Sequence, residues 1–366
     1  MNVNGGGNGG GAGGGGGAGG NGGAGGHGSA SGGGSHHGGG DRYGRIVDVV
    51  LHDPWAIVPE KLGQIVSLVQ LRASGITLTA EDIQARIGGD PQARPETTVE
   101  NGVGIISMFG VLSQRMNLFG RMSGGTSTEL MAAEFRELLR DTQVKAILFD
   151  INSPGGTVYG IPELAEEIRA ARGVKPIVAV ADALAASGAY WLGTQADELY
   201  VTPSGDVGSI GVVTAHTDLS AAAEKAGVKT TLVSAGRFKT EGNPYQPLGE
   251  EAYAHLKDRV DALYTTFVRD VARGRGVSDA VVREGFGQGR LVSATTARDL
   301  GMVTGIQTFD ATLAKLQQLP TPRTSLPLAP RASVDTPQEP SPATGQDPRR
   351  LPEATWRDLV RFAIHG

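Results

Sequence analysis

The 366-residue chain carries a formal net charge of −5 and no cysteine. The charge argues against a general electrostatic affinity for nucleic acid, and the missing cysteines exclude disulfides, thiolate catalysis and cysteine-ligated zinc. No stretch reaches the roughly 20 apolar residues that span a bilayer, and the N-terminus lacks the charged and apolar regions of a secretory signal. The expectation is a cytoplasmic protein without a membrane span.

Residues 1–41 are mostly glycine, too poor in apolar side chains to offset chain entropy, and read as a disordered tail. His27, His36 and His37 within it read as incidental. Residues 42–98 read as a helical prelude. Its first segment, "DPWAIVPEKLGQIVSLVQLRASG", places Leu62, Ile65, Val66 and Val69 at helical spacing. In the second, "TAEDIQARIGG", Thr79 is a candidate N-cap.

Residues 99–318 alternate strands and helices. "GVGIISMFGVL" reads as a buried strand. "TSTELMAAEFRELLRD" reads as a helix with Thr126 and Glu129 at capping-box spacing and Leu130, Phe135, Leu138 and Leu139 on its apolar face. "VKAILFDI" and "KPIVAVAD" are nearly continuous apolar strands, as expected where both faces are covered. Between them, "IPELAEEIRAARG" is a helix with Pro162 in its first turn and Gly173 at its stop. A helix start at Ser187 follows, then strands at "ADELYVTP", "GSIGVVTA" and "KTTLVSAG". Two helices close the domain: one carries Leu256, Val260, Leu263, Phe267 and Val271 on one stripe, and the other is capped by Ser293 and stopped by Gly301. This alternation defines an α/β fold of layered sheets with outer helices. Residues 319–366 read as a Pro-rich tail with a short C-terminal helix.

Three stretches carry candidate chemistry. In "FDINSPGGTVYG" a buried strand runs into adjacent glycines, whose N–H groups can face a ligand closely. They form either a plain turn or an oxyanion hole. In "ADALAASGAYW", Ser187 lies among small residues that leave room for an extended peptide, and the Gly188 N–H following it is a second candidate donor. Ser187 is either helix packing or a nucleophile. In "SAGRFKTEGNPYQPL", Lys239 is either a surface charge or a desolvated amine able to act as general base. His216 and His255 lack the glycine-rich surroundings of a cleft residue, which leaves core or surface roles for them.

Together and in this order, "INSPGGTVYG", "ALAASGAYW", "TPSGDVGSIGVV" and "SAGRFKTEG" resemble the signal peptide peptidase A (protease IV) family of serine–lysine peptidases, over about residues 100–310. The resemblance implies a Clp protease/crotonase-like fold, with Ser187 as nucleophile, Lys239 as general base, and Gly156 with Gly188 as oxyanion donors. Gly155, Ala186 and Tyr190 are candidate substrate contacts beside them. No metal or organic cofactor is implied. The "KTEGNPY" continuation, the His216 segment and the "DPWAIVPEKLGQIV" prelude are similar to the tailed-phage head-maturation (capsid assembly) branch. That branch implies capsid, portal or scaffold proteins as substrates and a location in host cytoplasm or procapsid. Single-copy relatives assemble as rings in which serine and lysine can come from neighbouring subunits, so a ring-like homo-oligomer is expected. The alternatives are a soluble housekeeping peptidase and an inactive capsid-assembly scaffold.

Overall fold

The computed structural model describes residues 53–73, 76, 79, 82, 97–115 and 125–320. The expected glycine-rich tail, the Pro-rich tail with its C-terminal helix, and most of "TAEDIQARIGG" lie outside these residues. Thr79 and Asp82 are described. The Thr79 N–H donates to Asp82 Oδ2 (2.9 Å) and the Asp82 N–H donates to Thr79 Oγ1 (3.1 Å), the reciprocal pair of an N-cap.

In chain order the elements are β1 (Trp55–Ile57), α1 (Pro59–Ala73), β2 (Thr98–Glu100), β3 (Val103–Phe109), β4 (Leu112–Ser113), β5 (Thr126–Ser127) and α2 (Thr128–Arg140). Then come β6 (Ala146–Ser153), β7 (Gly155–Thr157), α3 (Ile161–Ala170), β8 (Ile177–Ala186), α4 (Gly188–Gly193), β9 (Glu198–Val201) and β10 (Asp206–Gly208). The remainder are α5 (Ser220–Lys225), α6 (Glu250–Arg275), α7 (Asp279–Gly285), β11 (Leu291–Ser293), α8 (Ala294–Asp299), β12 (Gly305–Ile306) and α9 (Phe309–Gln317).

The main sheet runs β11-β10-β8-β6-β3-β2, with β9 beside β8 and β12 beside β9. Its centre, β3, β6 and β8, is parallel and apolar because both faces are covered. On one face Phe135, Phe149, Ile161, Leu164, Ile168 and Trp191 belong to the principal core; on the other, Leu148, Val178 and Val180 pack beneath Leu316 of α9. A smaller sheet, β1-β7-β4-β5, stands at the C-terminal end of β6.

β8 divides its partners. Residues 178–181 pair with β9, and residues 184–186 pair with β10. The change of direction falls at Ala183, whose φ is +80°, beside a register shift at Ile151 and Asn152 of β6. This bend delivers Ser187 to the sheet edge where the smaller sheet begins. Asp150 of β6 lies just before it. Its Oδ1 is buried without a hydrogen-bond partner among the described residues. Burial, and secondarily the Asp182 charge, raises this carboxyl to about 6.

Several local expectations change. Ser127, not Thr126, caps α2 by accepting from the Leu130 N–H. Thr126 instead clamps Phe109, its hydroxyl donating to the Phe109 carbonyl (2.8 Å) and accepting from the Phe109 N–H (3.0 Å). Leu130, expected on the apolar face, is 48% exposed. "GSIGVVTA" forms a strand only at its first residue and a single bridge at Val213, and "KTTLVSAG" forms none. Strands need a neighbour for their backbone groups, and beyond the Val213 bridge residues 211–249 pair with no strand among the described residues. No residue in that span is buried. The N-terminal half of α6 shares this isolation: Leu256, Val260 and Leu263 are only half-buried, whereas Phe267 and Val271 are core.

Candidate active site

Ser187 lies between β8 and α4 with φ +52° and ψ −117°, a backbone conformation rarely adopted by a side-chain-bearing residue. Two hydrogen bonds hold it there. Its N–H donates to the Gly208 carbonyl (2.7 Å), and its carbonyl accepts from the Trp191 N–H (2.9 Å). A strained serine on a strand-to-helix turn is how hydrolases present a nucleophile at a sheet edge. The flanking small residues follow from this geometry. A Cβ on Gly188 would lie 2.4 Å from Ile161 Cδ1.

α4 forms the floor. All six of its residues are buried. Trp191 stacks on Phe267 at 4.4 Å and 8°, and its indole N–H donates to Asp270 Oδ2 (3.2 Å). Tyr190 is wholly buried, and its hydroxyl donates to the Met302 carbonyl (2.8 Å), an attachment to the core rather than an open face. Burial pushes its phenol above the ordinary tyrosine range.

The glycine turn stands opposite. Ser153 Oγ donates to the Gly110 carbonyl (2.6 Å) and accepts from the Gly155 N–H (3.2 Å), which turns that N–H away from the cleft. Gly155 has φ +93°, and a Cβ there would lie 2.1 Å from the Ala56 carbonyl oxygen and 3.0 Å from both Ala186 O and Gly188 N. The register Trp55↔Thr157, Ala56↔Gly156, Ile57↔Gly155, with the Val58 N–H donating to Pro154 O, directs the Gly156 N–H onto the Ala56 carbonyl. Gly155, Ala186 and Gly188 therefore crowd one small volume next to Ser187, and Gly156 meets it through the Ala56 carbonyl. Of the two turn glycines, Gly156 is the one whose N–H faces it.

The Ser187 hydroxyl has no exposed surface and donates only weakly, at 3.4 Å, to the Gly211 carbonyl. Lys239 is not beside it. Lys239 lies on the exposed span 211–249, its N–H donating to Gly236 O (3.2 Å), and its ammonium makes no ion pair or hydrogen bond among the described residues. The structure thus assembles the serine and the glycines within one chain but not the lysine. Sequence reasoning missed two participants. Ser153 was visible as the serine preceding Pro-Gly-Gly; β1, at three residues, offered no periodicity. Among the described residues no cluster of metal-ligating side chains occurs, and no helix is long and apolar enough to cross a membrane.

A parallel-centred α/β sheet, a strained serine at the start of a buried helix and a facing Gly-Gly turn define a serine-hydrolase-type centre, and residues 169–321 match peptidase family S49. The matched stretch, set in an α/β architecture consistent with a Clp protease/crotonase-like fold, is thus similar to the S49 peptidases and includes Ser187 and Lys239. Among characterised relatives it is similar to capsid assembly protease C of Escherichia phage lambda: 34% identical over 214 residues, covering 57% of this chain and 49% of that protein. It is also similar to the head-tail preconnector protein GP5 of Enterobacteria phage P21 (33% over 214 residues, 58% and 42%). A protein of Enterococcus faecium named putative signal peptide peptidase SppA is 29% identical over 231 residues, covering 61% and 66%. The chain spans about half the length of the phage relatives it matches.

Proposed function

We propose that the protein is a serine endopeptidase that processes the head proteins of a tailed phage or prophage. Ser187 Oγ attacks the scissile carbonyl as its proton passes to neutral Lys239. The Gly156 and Gly188 N–H groups hold the resulting oxyanion. The lysine returns the proton to the leaving amine, and the acyl-enzyme is then hydrolysed by a water that the lysine deprotonates. One such donor contributes about 2.7–4 kcal/mol in the transition state. The observation that carries this reading is the convergence of strained Ser187 with the Gly156 and Gly188 N–H groups.

An amine serves as general base only where burial destabilises its ammonium form. Lys239 stands on a span without buried residues, so its desolvated setting is assigned to a neighbouring copy in a ring-like homo-oligomer. Exposed Leu232, Val233 and Phe238 on the same span fit burial in such an interface. The names of the phage relatives, a capsid assembly protease and a head-tail preconnector protein, support head proteins as the substrate class; the proposed substrates are capsid, portal or scaffold proteins, cut in host cytoplasm or procapsid. A housekeeping peptidase similar to SppA is the second reading, favoured by its 66% coverage of that relative.

Co-expression with the neighbouring capsid and scaffold genes tests this directly. Wild type should process them; Ser187→Ala and Lys239→Ala should not. Mixing the two variants should restore part of the activity, because each supplies what the other lacks. Full activity of Ser187→Ala would refute the mechanism, and failure of the mixture to recover would refute sharing between copies.

A further inference from the structure

The strand β1 stands where a substrate would have to stand. It is antiparallel to β7 on one side, with Ala56 opposite Gly156. On its other side the Trp55 N–H donates to Val213 O (2.7 Å) and the Val213 N–H to Trp55 O (2.8 Å). Proteins commonly hold extended peptides this way, as an added strand whose main chain is bonded on both edges. Here the added strand belongs to the chain itself.

The register gives it a further property. The Gly156 N–H points at the Ala56 carbonyl, and that oxygen lies against Gly155 and 3.3 Å from the point that a Cβ on Gly188 would occupy, beside the two candidate oxyanion donors. The Ala56 methyl lies 3.7 Å from the point that a Cβ on Gly188 would occupy, and Ile161 closes the same corner. Ser187 has no exposed surface with β1 in place. The strand is anchored by a small cluster of its own, Trp55, Ile57, Leu62, Ile65 and Val111, separate from the main core. Trp55 Nε1 is buried with no hydrogen-bond partner among the described residues.

We infer that residues 54–58 are a built-in substrate mimic: β1 fills the peptide cleft with Ala56 in the position of the residue donating the scissile carbonyl, and must leave before another peptide enters. The inference rests on the serine-peptidase reading. It also specifies the ligand class: an extended segment with a small residue at the reacting position and an aromatic residue before it.

Two measurements on the full chain test it. The first is the rate at which a fluorophosphonate probe labels Ser187 in wild type, in Trp55→Ala and in the Ser187→Ala control. Loosening the anchor should raise labelling at least tenfold. Equal rates in a variant shown folded by its thermal transition would overturn the inference while leaving the peptidase. Labelling absent from every protein would remove the peptidase reading and the inference with it. The second does not depend on Trp55→Ala folding. Hydrogen exchange is followed on the uncleaving Ser187→Ala protein, with and without the peptide acetyl-Asp-Pro-Trp-Ala-Ile-Val-amide. The peptide should release protection at Trp55, Ala56 and Val58 while protection at Gly156 persists. Unchanged protection at saturating peptide would overturn the inference.

Discussion

Gly156→Ala separates the oxyanion donor from the rest of the turn. Gly156 lies between β1 and β4, and a Cβ there would stand 1.9 Å from Leu112 O and 2.6 Å from Leu112 N. Both are backbone atoms in the β4–β7 pairing, so no rotamer change relieves the clash. The strand must shift, and with it the N–H aimed at the cleft. Overpacking of this kind costs about 1–3 kcal/mol of stability, and a domain of this size loses about 2–4 °C in Tm per kcal/mol. Displacing one oxyanion donor costs about 2.7–4 kcal/mol of transition-state stabilisation, a fall in kcat of about 10²–10³-fold. Differential scanning calorimetry reads the first effect, and peptide hydrolysis well below the transition temperature reads the second. A folded variant retaining kcat within about threefold of wild type would refute the role of the Gly156 N–H, since that is under 1 kcal/mol.

Two further substitutions test forces elsewhere in the fold. Folding raises the Asp150 carboxyl to about 6, so the folded chain holds this proton more tightly than the unfolded one, and stability falls as pH rises from about 4 through 6. Asp150→Asn should therefore match wild type near pH 4 and exceed it above pH 7, by at most about 3 kcal/mol, in urea titrations; a gain independent of pH would refute the assignment. Arg172 donates to the carbonyls of Thr194, Gln195, Ala196 and Gly274, at 2.6 to 3.1 Å, tying the end of α4 to α6. Lysine cannot reproduce that fork. Arg172→Lys should lose about 2–3 kcal/mol by chemical denaturation, and a loss under about 0.5 kcal/mol would show that the carbonyls find other donors.

The parts of this molecule written plainly in its sequence are those with a local physical cause. Unbroken apolar runs marked β6 and β8 because both faces of each are covered. Small residues around Ser187 and the paired glycines after Pro154 marked the site because a Cβ would collide there, as the Gly155, Gly156 and Gly188 contacts demonstrate. Where the cause lies elsewhere in space, the sequence was mute. "KTTLVSAG" has the composition of a strand, but pairing is decided by a neighbour, and none stands beside it among the described residues. β1 sits between Pro54 and Pro59 and is too short for its alternation to register, so it was absorbed into the helix that follows. Thr126 had the spacing of a cap, and only the approach of Phe109 gives it another use. Tyr190 is a candidate substrate contact by sequence, whereas the turn of α4 carries it into the core.

The complete burial of α4 has one more consequence. Ser187 is fixed not by a loop but by a short helix whose every side chain is wedged into the principal core, from the Trp191 stack on Phe267 to the Tyr190 tether on Met302. Its coordinates are inherited from packing tens of residues away in the chain. Variation at Phe267 or Asp270 of α6 is thus variation in where the hydroxyl points, although neither residue adjoins it. The floor beneath the serine therefore has almost no freedom to diverge in sequence.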